Sequence, residues 1–392
     1  MKSVKLKDVA IITTGKTPSK LTDIYYSGGT IPFVKPPNLI GSHEIVKTEE
    51  YITENGVNKA NLIAKHSIMV SCIGSLGKVG IAGTDLVTNQ QINSITFNSD
   101  LVEYKYGYYY SLTLTKKLKQ IANSAVVPIV NKTNFSNLDF VPRPLEEQKQ
   151  IVKILDQADA LRQKRKQAIV LLDEYLKSTF LEMFGDPIAN PNGFNNLKLS
   201  QFYINDKDGT KCGPFGSALK KEEYVSTGIS VWAMDNIQGM DFVPDNCLYI
   251  SKEKFEELKK YQVVNGDIII SRAGTVGKMA IIRNQENPSI ISTNLIKLSL
   301  DVNKLLPIYF ISLMNYCKGR VGRLKTGGDG SFTHMNTGIL DNLTFPVPPI
   351  NLQNKFAEIV QKTEILKHKM INQSNELENQ FQALMQKSFS LS

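Results

Sequence analysis

The chain is written twice. Val70-Ser71-Cys72-Ile73-Gly74-Ser75-Leu76-Gly77-Lys78-Val79 reads against Ile270-Ser271-Arg272-Ala273-Gly274-Thr275-Val276-Gly277-Lys278-Met279, an offset of 200 residues. Asn137-Leu138-Asp139-Phe140-Val141-Pro142-Arg143-Pro144 reads against Asn342-Leu343-Thr344-Phe345-Pro346-Val347-Pro348-Pro349, an offset of 205. Gln148, Ile154, Leu161, Leu172 and Phe184 match Gln353, Ile359, Leu366, Leu377 and Phe389 at that same offset. Several matches in one order, with offsets that drift by a few residues, mark a duplicated unit.

Both units follow one plan. A globular part rich in short β-type runs comes first, with Thr30–Val34 and Ser67–Ser71 in one unit and Gly228–Trp232 and Asp267–Ser271 in the other. A helix is expected over 104–122 and over 307–324, then a proline-containing strand end at Phe140-Val141-Pro142 and at Phe345-Pro346-Val347-Pro348. A long helix closes each unit. From Leu145 to Phe184 there is no proline, and Gly185-Asp186-Pro187 stops the run. Ile151, Ile154, Leu155, Ala158, Leu161, Ala168, Leu171, Leu172, Tyr175, Leu176, Thr179 and Phe180 fall at three/four spacing, a stripe for a partner helix. The second helix, from about Leu352 to Phe389, carries Phe356, Ile359, Val360, Ile365, Leu366, Met370, Leu377, Phe381, Leu384 and Met385. Each helix would extend roughly 55 Å at ~1.5 Å per residue, too long to lie on one small domain. The expectation is an α+β protein: two similar α/β recognition domains (1–143 and 186–347) separated by two long helices (144–185 and 348–392). The helices would form an antiparallel coiled coil that closes a pseudo-twofold dumbbell.

Charge is distributed unevenly over this plan. The chain has a net charge of +9. Residues 1–143 carry 16 basic and 10 acidic side chains, 144–182 carry 7 of each, 183–345 carry 18 and 16, and 346–392 carry 5 and 4. The excess thus sits in the first globular part. A local cluster, Lys318, Arg320, Arg323 and Lys325, lies in the second, with no acid between Val302 and Gly328. This bias suits a polyanion without proving one.

Catalytic signatures are missing. The four histidines (His43, His66, His334, His368) are scattered, without H-E-x-x-H or a His/Cys cluster, so neither a metal nor a cofactor is expected. The four cysteines, Cys72, Cys212, Cys247 and Cys317, have no C-x-x-C spacing, which fits a reducing, cytoplasmic setting. No apolar run approaches the ~20 residues that cross a bilayer. Gly74-x-x-Gly77-Lys78 and Gly274-x-x-Gly277-Lys278 lack the spacing and the Ser/Thr of a phosphate loop. There is no G-x-G-x-x-G, no G-x-S-x-G, and no Asn-Pro-Pro-aromatic tetrapeptide of the kind that holds a flipped base.

Two similar basic domains joined by helices make a two-point reader of duplex DNA. The glycine turns place Lys78 and Lys278 beside a backbone that a phosphate can approach. Lys116, Lys117 and Lys119 follow the aromatic run Tyr104, Tyr106, Tyr108, Tyr109 and Tyr110, and align with Lys318, Arg320 and Arg323. The tyrosines read as core and rim of their helix. The polar segments Pro128–Thr133 and Gly330–Asn336 supply Asn131, Lys132, Thr333, His334 and Asn336, side chains able to read base edges. Lys16, Lys35, Ser217, Lys220, Lys221, Arg272 and Lys325 complete the candidate contacts.

These residues resemble a known family. Gly213-Pro214-Phe215-Gly216-Ser217 with Leu219-Lys220-Lys221, Ser271–Lys278, Pro346–Pro349, Phe180–Pro187 and the helix start Pro142-Arg143-Pro144-Leu145-Glu146-Glu147-Gln148 are similar to the specificity subunits of type I restriction–modification enzymes. The resemblance covers essentially the full length in family order. It departs in the first unit, where Thr14–Ser19 replaces the Gly-Pro-Phe-Gly-Ser loop and Cys72 stands where the second unit has Arg272. It implies a subunit without catalysis or cofactor that binds double-stranded DNA at a bipartite target. It further implies docking of two modification subunits, which bring S-adenosylmethionine and methylate adenine, and of two restriction subunits. Two other readings stay open from the residues alone: a self-contained methyltransferase or nuclease, and a coiled-coil adaptor that touches no DNA.

Overall fold

The computed structural model describes residues 3–41, 44–122, 127–215, 218–238, 241–243, 246–272, 277–283, 287–317 and 335–389. The chain divides into two compact units, Met1–Gln167 with Ile371–Ser392, and Ala168–Met370. The division runs through the middle of both long helices, Leu145–Phe184 and Ile350–Phe389, because each helix half packs on the globular part of its own unit.

The duplication predicted from the sequence appears as a shared strand plan. In the first unit one sheet runs Ala10–Thr14, Ile92–Phe97, Ile68–Ser71, Val79–Ala82, Glu44–Ile45. Its counterpart in the second runs Thr210–Cys212, Leu295–Leu298, Ile268–Ser271, Met279–Ile281. A further sheet in each unit contains a parallel pair, Ile31–Val34 with Leu86–Thr88 and Ile229–Trp232 with Ser289–Ile291. Val4–Lys5 pairs with Asp139–Phe140, and Asn196–Lys198 with Thr344–Pro346.

The unbroken apolar runs follow from burial on both faces. Side chains alternate across a strand, so Ile68 and Val70 enter one core while Met69 enters another. Ile268, Ile270 and Ile269 divide in the same way. The tyrosine run is core, as expected: Tyr106, Tyr108, Tyr109 and Tyr110 are buried, and the Tyr106 hydroxyl donates to Val141 O at 3.0 Å. Tyr309 repeats this in the second unit, donating to Pro346 O at 2.7 Å.

The expected helix 104–122 is two helices, Tyr104–Leu112 and Thr115–Ile121. The N–H groups of Thr113 and Leu114 bond three residues back rather than four, to Tyr110 O and Ser111 O, and the Thr113 hydroxyl also donates to Tyr110 O. That competition tightens and ends the α-turn. Of the expected helix 307–324, Pro307–Tyr316 is helical, and 318–324 lies outside the described residues.

Within each unit the helix halves pack in the antiparallel sense. In the second unit Asp173 pairs with Lys367, and about two turns on Phe180 and Phe184 meet Phe356 with ring centroids 5.7 and 5.3 Å apart. In the first unit Arg162 bonds Glu378 at 2.6 Å and Asp159 at 2.7 Å, and covers the Phe381 ring 4.0 Å from its centroid. The apolar stripe is only partly used, contrary to the sequence expectation. Leu155 and Phe180 are buried, but Ile154, Leu161, Leu171 and Tyr175 are exposed, as are Ile365 and Leu366 on the second helix. The buried seam is narrower than the stripe, so the stripe's outer edge stays open to solvent. No helix among the described residues is long and apolar enough to cross a membrane.

Candidate nucleic-acid interface

One end of the first unit is a set of loops tied together through their backbones. The turn after Ile68–Ser71 is closed by Gly77 N–H to Ser71 O at 2.9 Å and by Lys78 N–H to Ser71 Oγ at 2.9 Å. Gly77 sits at φ +80°, a conformation open to glycine. Thr115 Oγ1 donates to Gly77 O at 3.2 Å, which starts the helix carrying Lys116 against the turn. Gly74 N–H to Pro128 O (3.0 Å) and Val130 N–H to Cys72 O (2.8 Å) fasten the loop carrying Asn131 and Lys132. Cys72 N–H to Gln91 O (2.7 Å) joins the segment 88–91, and Lys16 N–H to Thr88 O (2.9 Å) joins the segment after Ala10–Thr14. Gly15 makes that last approach possible, since a Cβ there would lie 2.1 Å from Asn89 O.

The second unit repeats these bonds. Gly277 N–H meets Ser271 O at 3.0 Å, Lys278 N–H meets Ser271 Oγ at 2.9 Å, and Gly277 has φ +84°. Arg272 N–H bonds Asn294 O at 3.0 Å, in the place of Cys72 on Gln91. Gly213 takes the place of Gly15: a Cβ there would lie 2.0 Å from Ser292 O.

The loops gather some of the predicted side chains and not others. Lys16 and Lys78 are exposed on the tied loops of the first unit, Lys116 and Lys132 at the starts of the short helices Thr115–Ile121 and Lys132–Ser136 tied to them, and Lys119 about a turn further on. None has an acidic partner among the described residues. Lys35 is different: it is half-buried, pairs with Glu50 and lies 5.4 Å from the Phe33 ring centroid, so it serves the fold. Lys117 bonds Asp139 at 3.2 Å, and with Lys5 holds that carboxyl below its usual range. Asn131 and Asn336 are N-caps, accepting from Asn134 N–H at 2.8 Å and Ile339 N–H at 2.9 Å. Their side-chain oxygens are therefore engaged locally.

In the second unit Lys278 is exposed on the turn, and Lys220 and Lys221 are exposed at the short turn Lys221–Glu223. Ser217, Lys318, Arg320, Arg323, Lys325, Thr333 and His334 lie outside the described residues. Among the described residues no group of three or more His, Cys, Asp or Glu could hold a metal.

Sequence reasoning passed over Gln90 and Gln91. Gln90 is exposed, and its amide accepts the Thr17 hydroxyl at 2.6 Å. Their segment links the turn carrying Cys72 to the segment carrying Lys16, a fact only the strand pairing reveals. Burial pushes the neighbouring Cys72 thiol up to about 12.

Comparison with known proteins converges on one family. The model for the type I restriction modification DNA specificity domain matches residues 1–171 and 215–379. The specificity subunit of type I restriction enzyme MjaVIII from Methanocaldococcus jannaschii is 23% identical over 327 residues, 79% of this chain and 75% of that protein. The HindI specificity subunit of Haemophilus influenzae is 32% identical over 160 residues, 38% of this chain and 34% of that protein. In fold, the chain is similar to the crystal structure of the S subunit of a type I restriction-modification system from M. genitalium. That match has 16% identity and a TM-score of 0.58 and covers 100% of this chain and 96% of the other. A chain from a structural study of type I R-M complex assembly and conformational transition is also 16% identical, with a TM-score of 0.61 over 99% and 97% of the two chains. With both globular parts matched and the repeated loops built alike, the chain belongs to the type I restriction–modification specificity-subunit family.

Proposed function

We infer that this chain binds double-stranded DNA at a bipartite target, each globular part reading one half-site, and that it carries no catalytic centre of its own. The observation that supports this best is the set of lysines Lys16, Lys78, Lys116 and Lys132, without acidic partners among the described residues, on loops and helix starts tied together through their backbones. Such lysines are free to neutralise phosphates, while a rigid loop frame holds neighbouring polar groups for base edges. The equivalent frame in the second unit supports a second reader with different side chains. The recognition domains are proposed as 1–143 and 186–347, with the helical segments 144–185 and 348–392 serving assembly.

The exposed apolar residues of the long helices support docking of modification subunits there. Ile154 and Leu161 in one unit, and Leu171, Tyr175, Ile365 and Leu366 in the other, expose side chains that a partner would bury. Two modification subunits, and two restriction subunits joined to them, complete the proposed complex, and its setting is cytoplasmic. The test is methyl transfer to DNA by the chain alone, by the modification subunit alone and by both together. Only the mixture should methylate, at one motif. Methyl transfer by the highly purified chain alone contradicts the reading.

A further inference from the structure

The two units differ most informatively at a pair of side chains on an otherwise equivalent frame. In the second unit the Arg272 guanidinium lies over the Phe215 ring, 4.6 Å from its centroid. The ring is 53% exposed. Arg272 Nη1 is shut off from solvent and has no hydrogen-bond partner among the described residues. An unpaired buried donor costs free energy, so packing alone does not account for this arrangement. In the first unit the same backbone positions hold Thr17, two residues after Gly15 as Phe215 is two after Gly213, and Cys72. There the Thr17 hydroxyl is spent on Gln90 at 2.6 Å, and Cys72 is 2% exposed. A ring with a cation has thus been exchanged, as a pair, for a hydroxyl with a buried thiol.

We propose that Arg272 reads a guanine in the half-site of the second unit, its N–H groups donating to guanine O6 and N7, and that Phe215 is the positioning residue that fixes the guanidinium plane. Guanine is the base whose major-groove edge offers two adjacent acceptors, the match for the parallel N–H groups of arginine. The ring beneath the guanidinium orients it before DNA arrives. The first unit, with Cys72 in that place, has no equivalent guanine reader. This inference rests on the DNA-reading function proposed above.

The test uses the chain with its modification subunit. The motif is read from methylated DNA, and each guanine of both half-sites is then replaced by 7-deazaguanine, which lacks the N7 acceptor. At one guanine the wild-type complex should lose roughly tenfold or more in affinity, and the Arg272→Ala complex should lose nothing further. Arg272→Ala should lower the preference for that guanine by roughly 5- to 150-fold and leave the other half-site unchanged. Arg272→Lys keeps the charge without the fork. It should retain general affinity while losing the discrimination, which separates a reading role from a folding defect. Phe215→Ala should act in the same direction, and Phe215→Tyr should preserve the preference. Equal weakening of all sequences by Arg272→Ala, 7-deazaguanine effects identical in wild type and variant, or a motif without guanine overturns the assignment. A wild-type complex that methylates no sequence overturns the underlying DNA-reading function and this assignment with it. A methylating complex indifferent to Arg272 overturns the assignment alone.

Discussion

Gln148 Oε1 accepts the backbone N–H of Glu103 at 2.9 Å, and this bond fixes where the first long helix leaves its globular part. The Gln148 amide also donates to Leu101 O at 2.8 Å and to Arg143 O at 2.7 Å. Gln353 repeats the arrangement, accepting from Leu306 N–H at 2.9 Å and donating to Pro348 O at 2.9 Å and Lys304 O at 3.3 Å. Both glutamines are fully buried. Gln148→Leu keeps most of the volume but leaves three backbone groups without the buried amide that holds them. It should destabilise the first unit by about 3 kcal/mol, measured by denaturant unfolding. A change below about 0.5 kcal/mol would mean that the latch is incidental.

The tied lysines should set the salt dependence of DNA binding. Lys16→Gln, Lys78→Gln and Lys116→Gln combined should reduce the log–log salt slope by about 0.9 for each phosphate no longer neutralised, and weaken all sequences alike. Lys35→Gln removes the nearer of the two lysine partners of Glu50, leaving Lys20 at 3.6 Å, and should lower stability while leaving the slope unchanged. A triple variant with the wild-type slope would move the phosphate path elsewhere.

The close approaches at Gly15 and Gly213 separate the two readers. A Cβ at either position collides with backbone oxygen, at 2.1 Å from Asn89 O and 2.0 Å from Ser292 O, and so must displace one loop of the frame. Gly213→Ala should impair discrimination in one half-site and Gly15→Ala in the other, read by sequencing methylated DNA. Identical effects of the two variants would contradict a division of labour.

How much of this was legible in the sequence depended on which forces were local. The repeat, the strand runs and both long helices could be read because apolar periodicity and the Gly185-Asp186-Pro187 stop are local signals. The break at Thr113 could not, since it arises from a hydroxyl competing for the carbonyl of Tyr110. Nor could the fates of Lys35 and Lys117, whose partners Glu50 and Asp139 are brought to them by strand pairing and helix packing. Residue type alone makes Asn131 and Asn336 candidate base readers, but each stands at a helix start, where an N-cap competes for the same oxygen. The pairing of Phe215 with Arg272 spans 57 positions and needed the fold to be seen.

Burial of Cys72 makes a pH prediction. Its thiol is pushed from an ordinary value of 9.0 to about 12, chiefly by desolvation. The folded state therefore holds its proton when the unfolded state has released it. The resulting stability is present below pH 9 and is lost as pH rises from 9 toward 12. The stability difference between wild type and Cys72→Ala should be constant from pH 7 to 8.5 and shrink above pH 9, because other titrating groups are common to both. A constant difference through pH 11 would contradict a buried, neutral thiol.

Two readers on one chain should address two separate half-sites. This division is measured most directly by the sequence context of every base methylated in DNA exposed to the chain and its modification subunit. The expected result is one motif made of two short specified blocks separated by a gap in which any base is accepted. A single uninterrupted motif, or methylation without sequence preference, would contradict it.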